Sequence, residues 1–485
     1  MTNGSAHRQF FSHVIDGVDV ESLRGASFLS VNPWTQEPWA EVALGTKEDA
    51  DRAVAAARRA FDDGPWPRMA RGERSRVLHR LADLIDDHAD ELARADTLDM
   101  GKPIRDMRRN DVPRAAQNFR FFADHQRLSA GEVFSMDSGH HAYEQFPPAG
   151  VVAAIAPWNF PLMLETWKIA PALAWGNTVV LKPAEDSPTS ATLMAHLALE
   201  AGVPGGVLNV VQGYGPDGPG EALTRSPNVD RITFTGASAT GRAVAQAAGA
   251  NLTPVSLELG GKGANIIFAD ADLDNAVRWS ILAIFSNAGQ VCLAGSRLLV
   301  QRSVLEGFVA RLTAAAEALV VGDPLLESTE VGPLASATHF KKVRAYLEDI
   351  PAAGGRILTG GAGEGWVVRP TVVVDLPPTA AACREEIFGP VLTVMPFDTE
   401  AEAVALANDT PYGLNAIVFT ENLSRAHQVA ARLKAGTVWV NCFFIRDLRA
   451  PFGGVGDSGI GREGGTYSRD FFTEPKAIVI DVHRE

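Results

Sequence analysis

Val151-Val152-Ala153-Ala154-Ile155-Ala156-Pro157-Trp158-Asn159-Phe160-Pro161 is the stretch on which the reading of this chain turns. Five continuous apolar residues of strand length run into a turn held between two prolines, and a helical stretch follows. The same unit recurs: the β-rich runs Thr178 to Leu181, Leu208 to Val211 and Arg231 to Phe234 alternate with helical stretches such as Thr189 to Glu200 and Thr240 to Ala248. Strands that are apolar along their whole length, separated by helices, predict a parallel sheet covered on both faces, that is, a doubly wound α/β domain. The alternation resumes after Glu258 with Ala264 to Phe268, the helix Leu273 to Ser286, Ser296 to Gln301, Val391 to Pro396, Ala416 to Phe419 and Thr437 to Val440. A second α/β domain is the economical reading. Ahead of both, Ala53, Val54, Ala57 and Phe61 share one face of a helix predicted over Lys47 to Phe61 with Thr46 as its cap. The Gly-rich run Gly354 to Gly365 reads as a surface loop.

With 485 residues the chain is long enough for two or three domains, and 46% hydrophobic residues supply large cores. The net charge of -14 argues against nucleic acid or an anionic membrane as the main partner, while leaving small anionic substrates open. Three cysteines, Cys292, Cys383 and Cys442, cannot form a disulfide framework and fit a reducing cytosol. No metal-ligand spacing of Cys or His is present. The N-terminus, Met1 to Phe11, has no apolar core of signal-peptide length, and apolar runs elsewhere are strand-sized, so a cytoplasmic protein is expected.

Candidate chemistry gathers at the carboxyl ends of the predicted strands, the edge at which open α/β sheets bind ligands. Cys292, in Gly289-Gln290-Val291-Cys292, follows the turn Glu258-Leu259-Gly260-Gly261-Lys262, which offers a carboxylate. A thiol and a carboxylate arriving from separate segments supply a nucleophile and a base for acyl chemistry, although a lone free cysteine is also a small buried hydrophobe. Asn159 sits rigidly between Pro157 and Pro161, where its amide could stabilise an oxyanion; an ordinary turn would read the same way. Lys182 and Glu185, just past the next strand, suit the hydroxyls of a nucleotide ribose or a solvated loop. Gly236 in Phe234-Thr235-Gly236 permits either close approach of a pyrophosphate or merely a tight turn, since the full dinucleotide fingerprint is missing. Glu386 and Phe388, before the strand at Val391, could bind a ribose and face a nicotinamide, or form a surface acidic patch.

Together these segments resemble the aldehyde dehydrogenase superfamily, in the family's order and spacing from about Asn32 to Lys476. The resemblance implies the aldehyde dehydrogenase fold, with a dinucleotide-binding domain over 1-128 and 148-257, a catalytic domain over 258-440, and oligomerisation segments over 129-147 and 466-485. It implies Cys292 as nucleophile, Glu258 as the base that activates hydrolytic water, and Asn159 as oxyanion donor. Trp158, Lys182, Glu185, Gly215, Gly236, Glu386 and Phe388 would contact NAD. The assembly would be a homo-oligomer, dimer or tetramer. Two positions depart from the family: Ala237 where a serine is usual, and Gly456 where a lysine is common. Relatives that release the thioester to coenzyme A normally lack the hydrolytic glutamate, so Glu258 implies a non-acylating enzyme.

Phe444-Ile445-Arg446-Asp447-Leu448-Arg449 and Phe471-Phe472-Thr473-Glu474-Pro475-Lys476 resemble the branch that oxidises muconate-type semialdehydes in aromatic ring-cleavage pathways. Asn118-Phe119-Arg120-Phe121-Phe122 is similar to its 2-hydroxymuconate and 2-aminomuconate members, which implies Arg120 and Arg446 as grips on the far end of the substrate. Leu208 to Gly215 is more similar to the 5-carboxymethyl-2-hydroxymuconate type. A broad-specificity aldehyde dehydrogenase and a catalytically silent binding protein on the same fold are the remaining alternatives.

Overall fold

The computed structural model describes residues 8–482; residues 1–7 and 483–485, the extreme ends of the first and last expected segments, lie outside the described residues. An eight-stranded sheet forms the first layer system. Across it run Gly459–Ile460, Val255–Glu258, Arg231–Thr235, Val151–Ile155, Thr178–Lys182, Leu208–Val210, His13–Ile15 and Val18–Val20. Its five central strands are parallel and in register, Phe234 opposite Ile155, Ile155 opposite Lys182 and Leu181 opposite Val210. The edges are antiparallel: the hairpin of His13–Ile15 and Val18–Val20 closes one side, and Gly459–Ile460 caps Val255–Glu258 on the other. The expectation of a parallel sheet therefore holds for the centre alone. Antiparallel edge strands are short, and they leave little unpaired edge exposed.

A seven-stranded sheet, ordered Arg356–Ala362, Val368–Val374, Val391–Phe397, Arg297–Gln301, Ala264–Ile267, Asn415–Phe419 and Thr437–Val440, forms the second α/β unit. Only Arg356–Ala362 runs antiparallel to its neighbour. That strand corrects the loop expected over Gly354 to Gly365. Gly360 and Gly361, at φ +99 and +94, put irregularities into the ladder, so the glycines bend an edge strand and do not abolish it. A third, small sheet pairs Lys476–Ile480 with His141–Gln145, which in turn pairs with Val133–Ser135. Among the described residues no helix is long and apolar enough to cross a membrane.

Local chemistry explains where the helices begin. Thr46 and Asp49 form a reciprocal capping box at the start of Lys47–Asp62, which also buries Ala53, Val54 and Ala57 as its periodicity requires. The two crossover helices beneath the ligand edge are started by carboxylates from another helix, Ala89–Met100. Asp96 accepts the Leu162 N–H at 3.2 Å at the head of Pro161–Ala174. Asp99, one turn on, accepts the Thr189 N–H at 3.0 Å and its hydroxyl at 2.7 Å at the head of Thr189–Ala201. A carboxyl oxygen that accepts an otherwise unpaired N–H at a helix N-terminus is favourable, and here it also fixes where the turns Pro157–Phe160 and Pro183–Pro188 must lie.

Burial makes this arrangement sensitive to pH. Asp96 is pushed up to about 8, chiefly by removal from water, and its Oδ1 has no hydrogen-bond partner. A carboxyl raised in the folded state holds a proton that the unfolded chain has released. Its unfavourable contribution therefore grows as pH rises from the ordinary aspartate range toward 8. Asp96→Asn should melt close to the parent near pH 4 and at a progressively higher temperature than the parent as pH rises to about 8. A melting difference that does not grow with pH would show that Asp96 is not a buried neutral acid.

Candidate functional site

The thiol of Cys292 lies past the end of the helix Leu273–Phe285, where the chain enters a strained turn. Asn287 and Ala288 both adopt the left-handed conformation, φ 50 and 51, which side-chain-bearing residues avoid. Side-chain hydrogen bonds hold the turn. Asn287 Nδ2 donates to the Asn159 carbonyl at 2.8 Å, Gln290 Nε2 donates to the Asn287 carbonyl at 3.1 Å, and Ala335 N–H donates to Gln290 Oε1 at 2.9 Å. Asn159 closes the circuit, its Nδ2 donating to the Gln290 carbonyl at 2.9 Å. One amide hydrogen of Asn159 is thereby anchored beside the cysteine loop, and its second remains to donate elsewhere.

Glu258 ends the strand Val255–Glu258, and the glycines after it make room for the cysteine loop. A Cβ on Gly261 would stand 2.5 Å from the Cys292 carbonyl oxygen, and one on Gly260 would stand 2.2 Å from a Glu386 carboxylate oxygen. Glu386 is tied to the same turn by the Gly261 N–H, at 2.8 Å. Gly289, φ +71, would drive a side chain into the Gly389 backbone. Three loops thus meet at glycines, two of the contacts backbone to backbone and the third against a carboxylate, bringing Asn159, Glu258, Cys292 and Glu386 together.

Both Glu258 carboxylate oxygens are buried without a hydrogen-bond partner. Burial, with the charge of Glu463, lifts this group well above the usual carboxylate range, against the pull of Lys168, Arg446 and Arg462. Burial likewise pushes the half-buried Cys292 thiol up to about 12, helped by Glu386 and Glu258 and opposed by Arg446. Behind Glu258 lies a polar cluster that the sequence reading missed. Glu463 accepts from Trp167 Nε1 at 2.5 Å, from Lys168 Nζ at 3.3 Å and from the Thr233 hydroxyl at 3.3 Å. Its members are nearly 300 residues apart in the chain, beyond the reach of any local pattern.

The residues expected to hold a dinucleotide line the same edge. Lys182, fully enclosed, donates to the Pro183 carbonyl at 2.7 Å and meets Glu185 at 3.4 Å. The helix Ser238–Gly249 begins at Ala237 with no side-chain cap. The Ser238 hydroxyl, next to the departure at Ala237, is spent on the Asp457 carbonyl at 2.7 Å, leaving the helix's first N–H groups for an anion. Gly236 lies against the Phe234 ring and Gly241 against Leu259, each within 2.5 Å of a notional Cβ, so the turn is as narrow as a backbone allows. Beside Gly215 a Cβ would meet open space, whereas Gly220 is pressed on Gly215 and on the Lys182 stem. Phe388, at φ 63, forms an aromatic cluster with Trp158 and His339, ring centroids 5.1 to 5.9 Å apart. Burial lowers His339 to about 4, so it is neutral, and its Nε2 hydrogen donates to the Phe388 carbonyl at 2.7 Å. An uncapped helix, glycine-narrowed turns, a lysine–carboxylate pair and a ring cluster suit a dinucleotide; nothing in the donor set obstructs one.

On the other side of the cysteine loop a cavity of about 880 Å³ runs inward along Phe160, Met163, Trp167, Phe285 and Phe443 to Val291, the residue before Cys292. Arg446 lies on it, stacked 3.7 Å over Phe452 and 5.1 Å over Trp167, with no carboxylate within ion-pair distance among the described residues. Burial and the neighbouring Arg114 lower its guanidinium to about 10. Arg120 does not reach the cavity. It points from the outer face of Val112–Leu128 and grips two exposed carboxylates, Asp83 at 2.6 Å and Asp86 at 2.7 Å. The expectation for Arg120 is therefore corrected, and the reason is helical phase. Asn110, Arg114 and Gln117 share the cavity face, and Arg120, six residues beyond Arg114, is rotated about 240° from it. Arg114 takes the cavity position instead, 5.7 Å from the Trp167 ring and donating to Asn118 Oδ1 at 3.1 Å.

Residues 20–478 match the model of the Aldehyde dehydrogenase family. The chain is 48% identical to a 2-hydroxymuconic semialdehyde dehydrogenase of Pseudomonas sp. (strain CF600), over 97% of this chain and 99% of that one. It is 45% identical to an NADP/NAD-dependent aldehyde dehydrogenase of Escherichia coli (strain K12), over 96% and 95%. An NAD+ complex structure of aldehyde dehydrogenase from Bacillus cereus superposes with a TM-score of 0.96 at 40% identity, covering 98% of this chain and 97% of that one. Fold, site and sequence agree: the chain belongs to the aldehyde dehydrogenase family.

Proposed function

We propose that this aldehyde dehydrogenase uses NAD to oxidise an unsaturated semialdehyde bearing a carboxylate at its far end, of the 2-hydroxymuconate or 2-aminomuconate type. The observation that carries this reading is the pair of guanidinium groups, Arg114 and Arg446, that share the Trp167 ring on the cavity with no carboxylate partner. Two desolvated cations side by side are unfavourable unless an anion completes them, and planar forks suit a planar carboxylate. The name of the similar Pseudomonas protein, 2-hydroxymuconic semialdehyde dehydrogenase, supports the same substrate class.

A substrate held by its carboxylate at the arginines would extend its aldehyde carbon toward Cys292. Attack by the sulfur gives a thiohemiacetal, whose oxyanion lies within the gift of the second Asn159 hydrogen and the Cys292 N–H. NAD, when bound along the Lys182–Glu185 edge, supplies the hydride acceptor. The thioester left on Cys292 needs water, and Glu258, with both oxygens free, can take the proton from it. Enclosure raises the proton affinity of that base above that of an ordinary carboxylate.

Three measurements test the assignment. Cys292→Ala should abolish NADH formation, whereas Glu258→Gln should release one rapid equivalent of NADH and then turn over roughly 10²- to 10⁴-fold more slowly. Loss of the burst, or normal turnover, would remove Glu258 from the hydrolytic step. Glu185→Ser should raise kcat/KM for NADP relative to NAD, because a carboxylate on the ribose repels a 2′-phosphate; an unchanged ratio would refute that placement. Arg446→Ala or Arg114→Ala should cost about 1.5–3 kcal/mol in kcat/KM for the acidic semialdehyde and little for hexanal, with Arg120→Ala leaving that selectivity as it was. Equal losses on both aldehydes would sink the carboxylate clamp.

A further inference from the structure

Charge around the cavity is distributed unevenly along its length. Among the described residues, six cationic and three anionic side chains line it, in a chain whose net charge is -14. The three carboxylates are all engaged by two of the cations: Lys102 holds Asp111 at 2.6 Å, and Arg105 holds Asp106 at 3.5 Å and Glu330 at 3.3 Å. Among the described residues four arginines remain without a carboxylate within ion-pair distance, Arg109 acting on Asp106 only through space. Arg114 and Arg446 form the inner pair already described. Arg109 and Arg278 form an outer pair: both are exposed and both line the cavity, from segments on either side of it. Arg278 donates to Asn275 Oδ1 at 2.9 Å and lies 4.8 Å over the Trp279 ring, contacts that leave it exposed. Exposed arginines elsewhere are of both kinds, Arg302 paired with Asp398 and Arg344 with Glu348 while Arg76 and Arg369 have no ion-pair partner among the described residues, so what sets Arg109 and Arg278 apart is that they line the cavity.

We propose that Arg109 and Arg278 are specificity-determining residues that form an electrostatic funnel at the cavity mouth, drawing anionic aldehydes toward the inner arginine pair and past the acidic remainder of the surface. The inference rests on the substrate class argued above. A small anion approaching a chain of charge -14 meets net repulsion, and a mouth with two uncompensated cations reverses the sign locally. A cleft with low-dielectric walls concentrates that field, and because the outer pair is solvated its effect must fade within a Debye length of about 10 Å at 0.1 M salt. The inner pair, Arg446 enclosed and Arg114 half-buried, would act on the bound anion and be screened less.

The test reads the field at the thiol with two alkylating probes of nearly equal size, anionic iodoacetate and neutral iodoacetamide. In the double variant Arg109→Gln/Arg278→Gln at low salt, inactivation by iodoacetate should slow by on the order of 10-fold. The iodoacetamide rate should stay within about two-fold of the parent, which also reports an intact site, and added salt should bring parent and variant together for iodoacetate. With the acidic semialdehyde the variant should show a raised KM and a shallower salt dependence of kcat/KM. Equal slowing of both probes, or an unchanged iodoacetate rate, would overturn the funnel. The probes separate this result from the substrate reading. If the parent protein favours hexanal over the acidic semialdehyde while iodoacetate still responds to the outer pair, the substrate class is wrong and the funnel stands.

Discussion

The site depends on a backbone-to-backbone contact that admits no side chain. The turn after Glu258 belongs to the eight-stranded sheet's edge, and the loop before Cys292 leaves a helix of the second α/β unit; they meet where Gly261 faces the Cys292 carbonyl. A Cβ at 2.5 Å from that oxygen would force the two units apart by more than a rotamer change could absorb, because the obstacle is main chain on both sides. Gly289 against the Gly389 backbone repeats the device with the third loop, while Gly260 makes room for the Glu386 carboxylate. Strain at Asn287 and Ala288 is the counterpart: residues held at positive φ persist only where surrounding bonds over-determine them, and the Asn159–Asn287–Gln290 circuit does so.

This geometry forces ionisable groups out of water, and the consequences oppose one another. A buried carboxylate with unused lone pairs is a poor anion and a willing proton acceptor once deprotonated; a buried thiol is a poor thiolate. Both disadvantages are moderated by cations set at a distance, Arg446 for both groups and Lys168 for Glu258. Lys168 is itself divided between Glu463 and Thr233, so the polar cluster behind Glu258 regulates how much positive potential reaches it.

What the sequence made legible was local or periodic. The Thr46 capping box, the all-apolar strands Val151–Ile155 and Thr437–Val440, and the clustering of Asn159, Lys182, Gly236 and Glu258 at strand ends all follow from neighbours in the chain. Gly354 to Gly365 misled because glycine content signals irregular backbone without saying whether a partner strand, here Val368–Val374, will recruit it. Arg120 misled because a motif match ignores phase on a helix: the face carrying Arg114 and Gln117 was available from the 3.6-residue repeat, but which face met the cavity was not. His339 and Glu463 left no signal, since each acts through partners brought near only by tertiary structure.

Arg446 joins the two halves of the chemistry. In the proposed function its guanidinium grips the substrate, and it is also part of the positive potential that restrains the acidity shifts of Cys292 and Glu258. When a substrate carboxylate lands on it, that potential is partly neutralised at the moment the aldehyde reaches the thiol. The loss makes Glu258 a stronger base for the later hydrolysis, and it makes the thiolate harder to form for the first step. Arg114, on the same ring, adds a second guanidinium to the proposed grip, so a single substrate carboxylate would leave positive charge in excess at this part of the cavity.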